Sequence, residues 1–347
     1  MNSPQTDAFC PLRWNGNHLL LLDQRALPAT ETWLELDNAD GVAMAIRDMA
    51  VRGAPAIGIA AAWGVVLAAQ KGGEAAVREA LPALAAARPT AVNLRWTLDR
   101  MEVALNAAPL ADLATALEAE ARVIQDEDLA QNRRMAGLGA ARLEHGSRVL
   151  THCNTGALAT GGIGTALGVI RRAHADGKLA SVHATETRPW MQGARLTIWE
   201  LSREGIAASL VTEGAAAHVM KSTGIDWLIV GADRIAANGD TANKIGTYAL
   251  AVLARAHGAK VMVVAPVSSI DMRITSGEEI PIEMRAGEEI LRAAGLSEAP
   301  PGITVENPAF DVTPAQFIDL IVTDHGVVER PSRETMNALF SGVNSTR

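Results

Sequence analysis

The sequence predicts an α/β protein: a small, mainly helical N-terminal domain with a short β-hairpin, then a larger domain built on a parallel sheet. Two patterns lead there. Up to about residue 143 the apolar residues fall in long Ala/Leu-rich segments, and alanine favours helix because it loses no side-chain entropy. From Ser147 onward, short continuously apolar runs alternate with polar turns and helical stretches, as in parallel strands covered on both faces. The chain has 347 residues, room for about two domains.

Residues 12–23 place two short apolar runs around Asn15-Gly16, the favoured dipeptide of a tight hairpin turn. Helical patterns follow at about 39–50, 55–70, 74–87, 91–107 and across 109–143. The most apolar stretch, 55–69, opens with Pro55 and contains Gly58 and Gly64. It is shorter than the ~20 residues a membrane span needs and reads as a buried helix. The strand candidates are SRVLTH, ASVHAT, ASLVT, DWLIVGAD and KVMVVAP, with FIDLIVT at 317–323. The expected domains are residues 1–125 and 126–347.

Composition narrows the function. The chain is 48% hydrophobic and 20% charged, which excludes a disordered protein. A net charge of −8 and only 3% aromatics argue against a nucleic-acid surface, which needs clustered cations and stacking rings. Two cysteines, Cys10 and Cys153, make neither a disulfide framework nor a CxxC metal site. The N-terminal MNSPQTDAFC carries Asp7 and no apolar run, so no signal peptide is expected. A cytoplasmic protein without membrane partners follows as the expectation. The cluster Gly161-Gly162-Ile163-Gly164 lacks the further glycine of a dinucleotide fingerprint at Leu167. Gly177-Lys178 is followed by Leu179, so it is no phosphate loop, and neither HExxH nor GxSxG occurs.

In parallel sheets ligands sit beyond the carboxyl ends of the strands, so polar residues there are the candidates. Arg52-Gly53-Ala54 precedes Pro55, a residue suited to a first helical turn. Free amides, helix dipole and guanidinium together would hold an anion such as phosphate; a plain tight turn with Arg52 in water is the other reading. Arg95, in Asn93-Leu94-Arg95-Trp96, offers a second guanidinium or a solvated helix-start arginine. Cys153 follows the strand SRVLTH ahead of a Gly-rich helix start, where a thiolate would be stabilised, although inert buried cysteines are common. Its neighbour His152 should face the other way. In the loop from Glu186 to Gly193, Glu186 and Arg188 can brace each other, whereas Gln192 has no such partner in view. Asp233 ends the strand DWLIV and is placed for proton transfer. Asp240 or Thr241 is expected to cap the next helix, with Lys244 in its first turn, a place easier to understand if Lys244 meets an anion.

Taken together, RGAPAIG, NLRW, THCNTGALAT, ETRPWMQGARLT and VGADRIAANGDTANKIGTYALA, spread in order over residues 52–251, closely resemble the methylthioribose-1-phosphate isomerases of methionine salvage. The resemblance implies a small N-terminal domain joined to a Rossmann-like domain that binds no dinucleotide, in a homodimer. It implies that Arg52, Gly53, Ala54, Arg95, Gln192, Asn243 and Lys244 bind the sugar phosphate, that Asp233 donates a proton, and that Cys153 is the second catalytic residue. No metal or other cofactor is expected. Isomerases of 5-deoxyribose 1-phosphate or ribose 1,5-bisphosphate are the alternative enzymes. Non-catalytic regulatory subunits of an initiation factor are the alternative class, against which the joint presence of Cys153 and Asp233 argues.

Overall fold

The computed structural model describes residues 9–89 and 91–341. The chain divides into two compact units: the part up to Arg133 with Thr155–Gly164, and Arg134–Asn154 with the part from Thr165 onward.

The first unit opens with a three-stranded antiparallel sheet, β1 (Leu12–Trp14), β2 (Leu19–Leu22) and β3 (Trp33–Leu36), in that order. The expected hairpin is there. Asn15 Oδ1 accepts the amides of Asn17 and His18, and Gly16 takes φ 100°, a region open to glycine at little cost. Four helices follow: α1 (Ala39–Arg47), α2 (Ala54–Ala87), α3 (Val92–Ala107) and α4 (Leu113–Ala140), the last containing the unit boundary. Asn38 caps α1 by accepting the Gly41 amide. The sequence reading split α2 in two, and Gly72 and Gly73 do leave helical geometry between its two arms. By length and composition α2 is able to cross a membrane, yet 78% of its most apolar window is buried inside the folded chain. It is the core helix that its all-round apolarity implies.

Thr155–Gly164 is a segment that the sequence reading did not separate from what surrounds it. Gln24 Nε2 donates to Leu158 O at 2.7 Å. Asp128 Oδ2, buried on α4, accepts the Gly161 amide at 2.7 Å and Asn132 Nδ2 at 2.9 Å.

In the second unit β4 (Ser147–Thr151), β5 (Leu179–Thr185), β6 (Ser209–Val211), β7 (Trp227–Val230) and β10 (Lys260–Val264) run parallel, as do β10 and β13 (Leu320–Val322); β14 (Val327–Glu329) closes one edge antiparallel. The order is β14-β13-β10-β7-β4-β5-β6. Every strand expected from the apolar runs is present. The helices of this unit are α5 (Ala166–Ala175), α6 (Ile198–Arg203), α7 (Ala216–Val219), α8 (Thr247–Ala256), α9 (Glu288–Ala293) and α10 (Arg333–Ser341). A second sheet, β11 (Ile270–Asp271), β8 (Arg234–Ala236), β9 (Thr241–Lys244) and β12 (Phe310–Thr313), was not foreseen.

This sheet corrects one expectation. Thr241–Lys244 is strand, not the start of a helix, because Asn238-Gly239 turns β8 into a hairpin with β9 and β12 pairs on the other side. Asp240 accordingly caps no α-helix. Its carboxylate accepts the amides of Gly277 and Ala315 instead.

Asp128 gives the first prediction. Burial pushes its carboxyl up to about 7, against the lowering effect of the two hydrogen bonds. The folded value lies above the unfolded one of about 3.9. Its stabilising contribution is therefore complete at acid pH and is lost as pH rises through about 7. Asp128→Asn keeps an acceptor oxygen for both donors without the charge. Its melting temperature relative to wild type should rise by at least ~2 °C between pH 5 and pH 8, measured by calorimetry; a falling difference would contradict this.

Candidate active site

The order of the main sheet decides where chemistry can sit. Chain order runs outward from β4 to β5 and β6 on one side, and to β7, β10 and β13 on the other. The β4/β7 pair is the switch point of such a sheet, where a crevice opens beyond the carboxyl ends. The segments leading to Cys153 and to Asp233 leave the sheet from these two strands.

Cys153 does not continue its strand. β4 ends at Thr151, and Cys153 takes a left-handed backbone, φ 65°, which costs a non-glycine residue of order 1–3 kcal/mol. Its amide donates to Thr187 Oγ1 at 2.9 Å, and its carbonyl accepts the Thr197 hydroxyl at 2.6 Å. The side chain is buried, 7% exposed. The expected helix start directly behind it is absent. The glycine-rich Thr155–Gly164 departs into the first unit, and α5 starts only at Ala166.

His152 is fully buried and occupied on both sides of its ring. Nε2 lies 2.9 Å from Ile245 O, and Nδ1 lies 2.6 Å from Thr185 Oγ1. A carbonyl only accepts, so the hydrogen is assigned to Nε2 and the Thr185 hydroxyl donates to Nδ1. Burial pushes the imidazole below its ordinary value and holds it neutral. His152 is therefore a strut between strand ends and not a base for Cys153.

Gln192 introduces a single π-type turn, Gly193–Thr197, that leads into α6. Its side chain is 6% exposed, and Oε1 has no hydrogen-bond partner among the described residues. An unsatisfied buried acceptor is costly and fits a contact with a ligand hydroxyl. Gly193 sits so close to β5 that a Cβ there would lie 1.7 Å from Thr185 O. Arg188 donates to Ala293 O at 3.2 Å, so it braces its loop against a main-chain carbonyl.

Asp233 is half-buried just before β8, and its amide donates to Ala242 O. The β8–β9 register sets it beside Asn243 and Lys244. Asn243 Nδ2 donates to Thr247 Oγ1, which donates in turn to Lys244 O. Lys244 Nζ donates to Ala309 O at 2.7 Å and lies 4.4 Å from the Phe310 ring centroid. Asp233, Asn243 and Lys244 thus occupy adjoining backbone positions on neighbouring strand ends.

Asp311 is the residue that the sequence reading missed. On β12, opposite Asn243, its carboxylate accepts the amides of Gly246 at 2.7 Å and Tyr248 at 3.1 Å. It caps α8 from outside the helix, where Gly246 at φ 103° has no side chain for the task. Burial raises it to about 6, while Lys244 and these amides lower it. Nothing local in the sequence marks it, since it lies 65 residues from Gly246.

In the first unit, Gly53 is the N-cap of α2 at φ 93°, and a Cβ there would lie 2.5 Å from Ala159 Cα. Only glycine fits. Pro55 stands in the first turn as expected, with no acidic residue in that turn and no side-chain cap. Ala54 opens the helix, and Arg52 is half-buried beside it. A helix start of this kind attracts negative charge. α3 starts alongside, its Asn93 carbonyl against Gly58 of α2, also without an acidic first turn. Arg95 is 70% exposed and pairs with Asp99 at 2.9 Å, one turn on, so here the structure shows the solvated, paired arginine.

Among known proteins, a sequence profile of the Initiation factor 2 subunit family matches residues 50–330. The chain is 58% identical over 340 residues to a methylthioribose-1-phosphate isomerase of Thioalkalivibrio sulfidiphilus (strain HL-EbGR7), covering 96% of this chain and 97% of that one. It is 55% identical over 346 residues to one from Alkalilimnicola ehrlichii, covering 98% and 100%. The crystal structure of 5-methylthioribose 1-phosphate isomerase from Pyrococcus horikoshii OT3 superposes with a TM-score of 0.92 at 43% identity, over 98% of this chain and 99% of that one. A chain described as the delta subunit of translation initiation factor eIF-2B from A. fulgidus gives 0.87 at 38% identity, over 96% and 100%.

Replacing Asp311 by alanine removes both acceptors at the start of α8. The expected loss is about 0.5–2 kcal/mol in urea denaturation. The KM for a sugar phosphate should rise as the Asn243–Lys244 turn loosens, and an unchanged KM would contradict that placement.

Proposed function

The chain belongs to the Initiation factor 2 subunit family and, within it, to the methylthioribose-1-phosphate isomerases, and from this premise we propose how its residues perform the reaction. The activity is the conversion of 5-methylthioribose 1-phosphate to 5-methylthioribulose 1-phosphate, an aldose–ketose isomerisation in methionine salvage. The observation that carries the residue assignment is the strained, buried Cys153 at the switch point of the sheet, with Asp233 following the neighbouring strand.

The chemistry explains why a carboxyl and a thiol are needed. An ordinary aldose opens its ring by losing the proton of the anomeric hydroxyl, but here that oxygen carries phosphate. Opening starts instead with a proton delivered to the ring oxygen, for which Asp233 is the donor. The C–O bond to C1 breaks, and positive charge develops at C1. Hydrogen then moves from C2 to C1 and the C2 hydroxyl gives up its proton, leaving a ketone and restoring the acid. Cys153 serves either form of that transfer: as base for the C2 proton through an enol, or as support for the charge in a direct hydride shift. Deuterium found at C1 after reaction in heavy water marks the first.

Gln192, Asn243 and Lys244 hold the sugar phosphate in this proposal, the unsatisfied Gln192 Oε1 accepting from a hydroxyl. Arg52, with the amides of Gly53 and Ala54, and Arg95 serve the phosphate; Arg95 exchanges Asp99 for it. Two further readings accompany the assignment. The unpaired Cys10 and Cys153 suit a reducing cytoplasm, and the family resemblance supports a homodimer, which light scattering would test.

Cys153→Ala and Asp233→Asn should each lower kcat on methylthioribose 1-phosphate by ~10²–10⁴-fold with the fold intact by circular dichroism. Wild-type rates in either variant would remove that residue from the mechanism. Assays with 5-deoxyribose 1-phosphate and ribose 1,5-bisphosphate alongside measure how strongly the C5 substituent is read.

A further inference from the structure

Two non-glycine residues with left-handed backbone, Cys153 at φ 65° and Thr187 at φ 63°, follow the carboxyl ends of the neighbouring parallel strands β4 and β5. They are tied to each other. Thr187 Oγ1 accepts the Cys153 amide at 2.9 Å, and Thr187 is itself completely buried. Its own amide donates to Glu213 Oε1 at 2.6 Å, from the residues just past β6. Three successive strand ends are thereby linked through one residue, by its hydroxyl on one side and its amide on the other.

The hydroxyl also has a defined hydrogen direction. Its lone pair takes the Cys153 amide, so its hydrogen turns to Thr185, whose Oγ1 lies 3.3 Å and whose main-chain oxygen lies 3.4 Å away. Thr185 in turn donates to His152 Nδ1. On the other side of Cys153, the Thr197 hydroxyl holds the carbonyl, and Asn154 Nδ2 donates to the buried Glu200. Without the Thr187 acceptor the Cys153 amide would be buried and unsatisfied, and the left-handed turn would lose the contact that compensates its strain.

We propose that Thr187 is a positioning residue for the isomerase reaction: its hydroxyl, with Glu213 fixing its main chain, holds the Cys153 backbone in the left-handed turn that aims the thiol. This rests on the reading of Cys153 as catalytic. Thr187 touches no substrate in this role. It acts on the direction of Sγ, so the rate of the chemical step depends on it and substrate binding does not.

The test uses Thr187→Val, which keeps the branched shape and removes the acceptor, with Thr187→Ser as the conservative control. Expected for Thr187→Val is a kcat ~10–100-fold lower, with KM within about threefold of wild type, and recovery of most of the rate in Thr187→Ser. In a Cys10→Ser background, alkylation of Cys153 by iodoacetamide should change in rate at least ~5-fold in the valine variant and not in the serine variant. Glu213→Ala, at a partly exposed side chain, tests the same clamp should the valine variant fail to fold, and kcat should again fall alone. A kcat within twofold of wild type, or unchanged alkylation, in soluble Thr187→Val or Glu213→Ala protein would overturn the proposal. The two readings fail separately. Full activity in Cys153→Ala would remove the cysteine from catalysis, while the alkylation rate would still report whether Thr187 sets the thiol.

Discussion

The turns that leave β4 and β5 are tied together by one hydrogen bond, from the main-chain amide of Cys153 to the Thr187 hydroxyl. A parallel sheet delivers its strand ends side by side about 4.8 Å apart, so a residue that turns sharply off one strand meets the residues leaving the next. β4 is flanked by β7 and β5, and both neighbours contribute. β5 continues into Thr187 and Gln192, and β7 into Asp233. His152, held between Thr185 and Ile245, links the main sheet to the segment carrying Lys244. The neutral ring is what makes this link possible, since a charged imidazole would have no acceptor at Nδ1 for the Thr185 hydroxyl.

The small sheet has the complementary task of aiming charge. A helix beginning at Thr241 would have placed Lys244 against the positive end of a dipole. In the strand that forms instead, Lys244 reaches Ala309 O and Phe310 on the adjacent β12. Asp311 then supplies the acceptors that α8 lacks, at the cost of burying a carboxylate whose ionisation is pushed up to about 6. Lys244 and Asp311 thus hold the turn between β9 and α8 from its two sides, each through main-chain groups.

In the first unit the same economy of contact rests on glycine. Gly53 lets Ala159 approach to where a Cβ would stand, and the buried Asp128 receives the amide of Gly161 in the same returning segment. Close approach requires glycine at this N-cap, which leaves no side chain there to cap α2. Arg95 differs in kind, an exposed side chain whose i,i+4 pair with Asp99 contributes only a few tenths of a kcal/mol and is readily exchanged.

The sequence by itself determined the α/β class, the hairpin at Asn15-Gly16, the buried α2 and each strand of the parallel sheet from its apolar run, because those signals are local and periodic. It also located the turns after β4, β5 and β7, since residues just beyond a buried strand have to be polar for a reason. The family motifs singled out Cys153, Asp233 and Lys244 as candidate functional residues. Tertiary structure alone decided the rest. The second sheet rests on strands of two to four residues, too short for a period to show, although Asn238-Gly239 was a hairpin signal of the same kind as Asn15-Gly16. The helix expected behind Cys153 gave way to a segment that packs in the other unit, a choice made by contacts with Gln24 and Asp128 more than twenty residues away. Thr187 and Asp311 gained their roles from partners 34 and 65 residues distant. A hydroxyl or a carboxylate carries no mark of which main-chain amide it will meet until the strand ends are brought together.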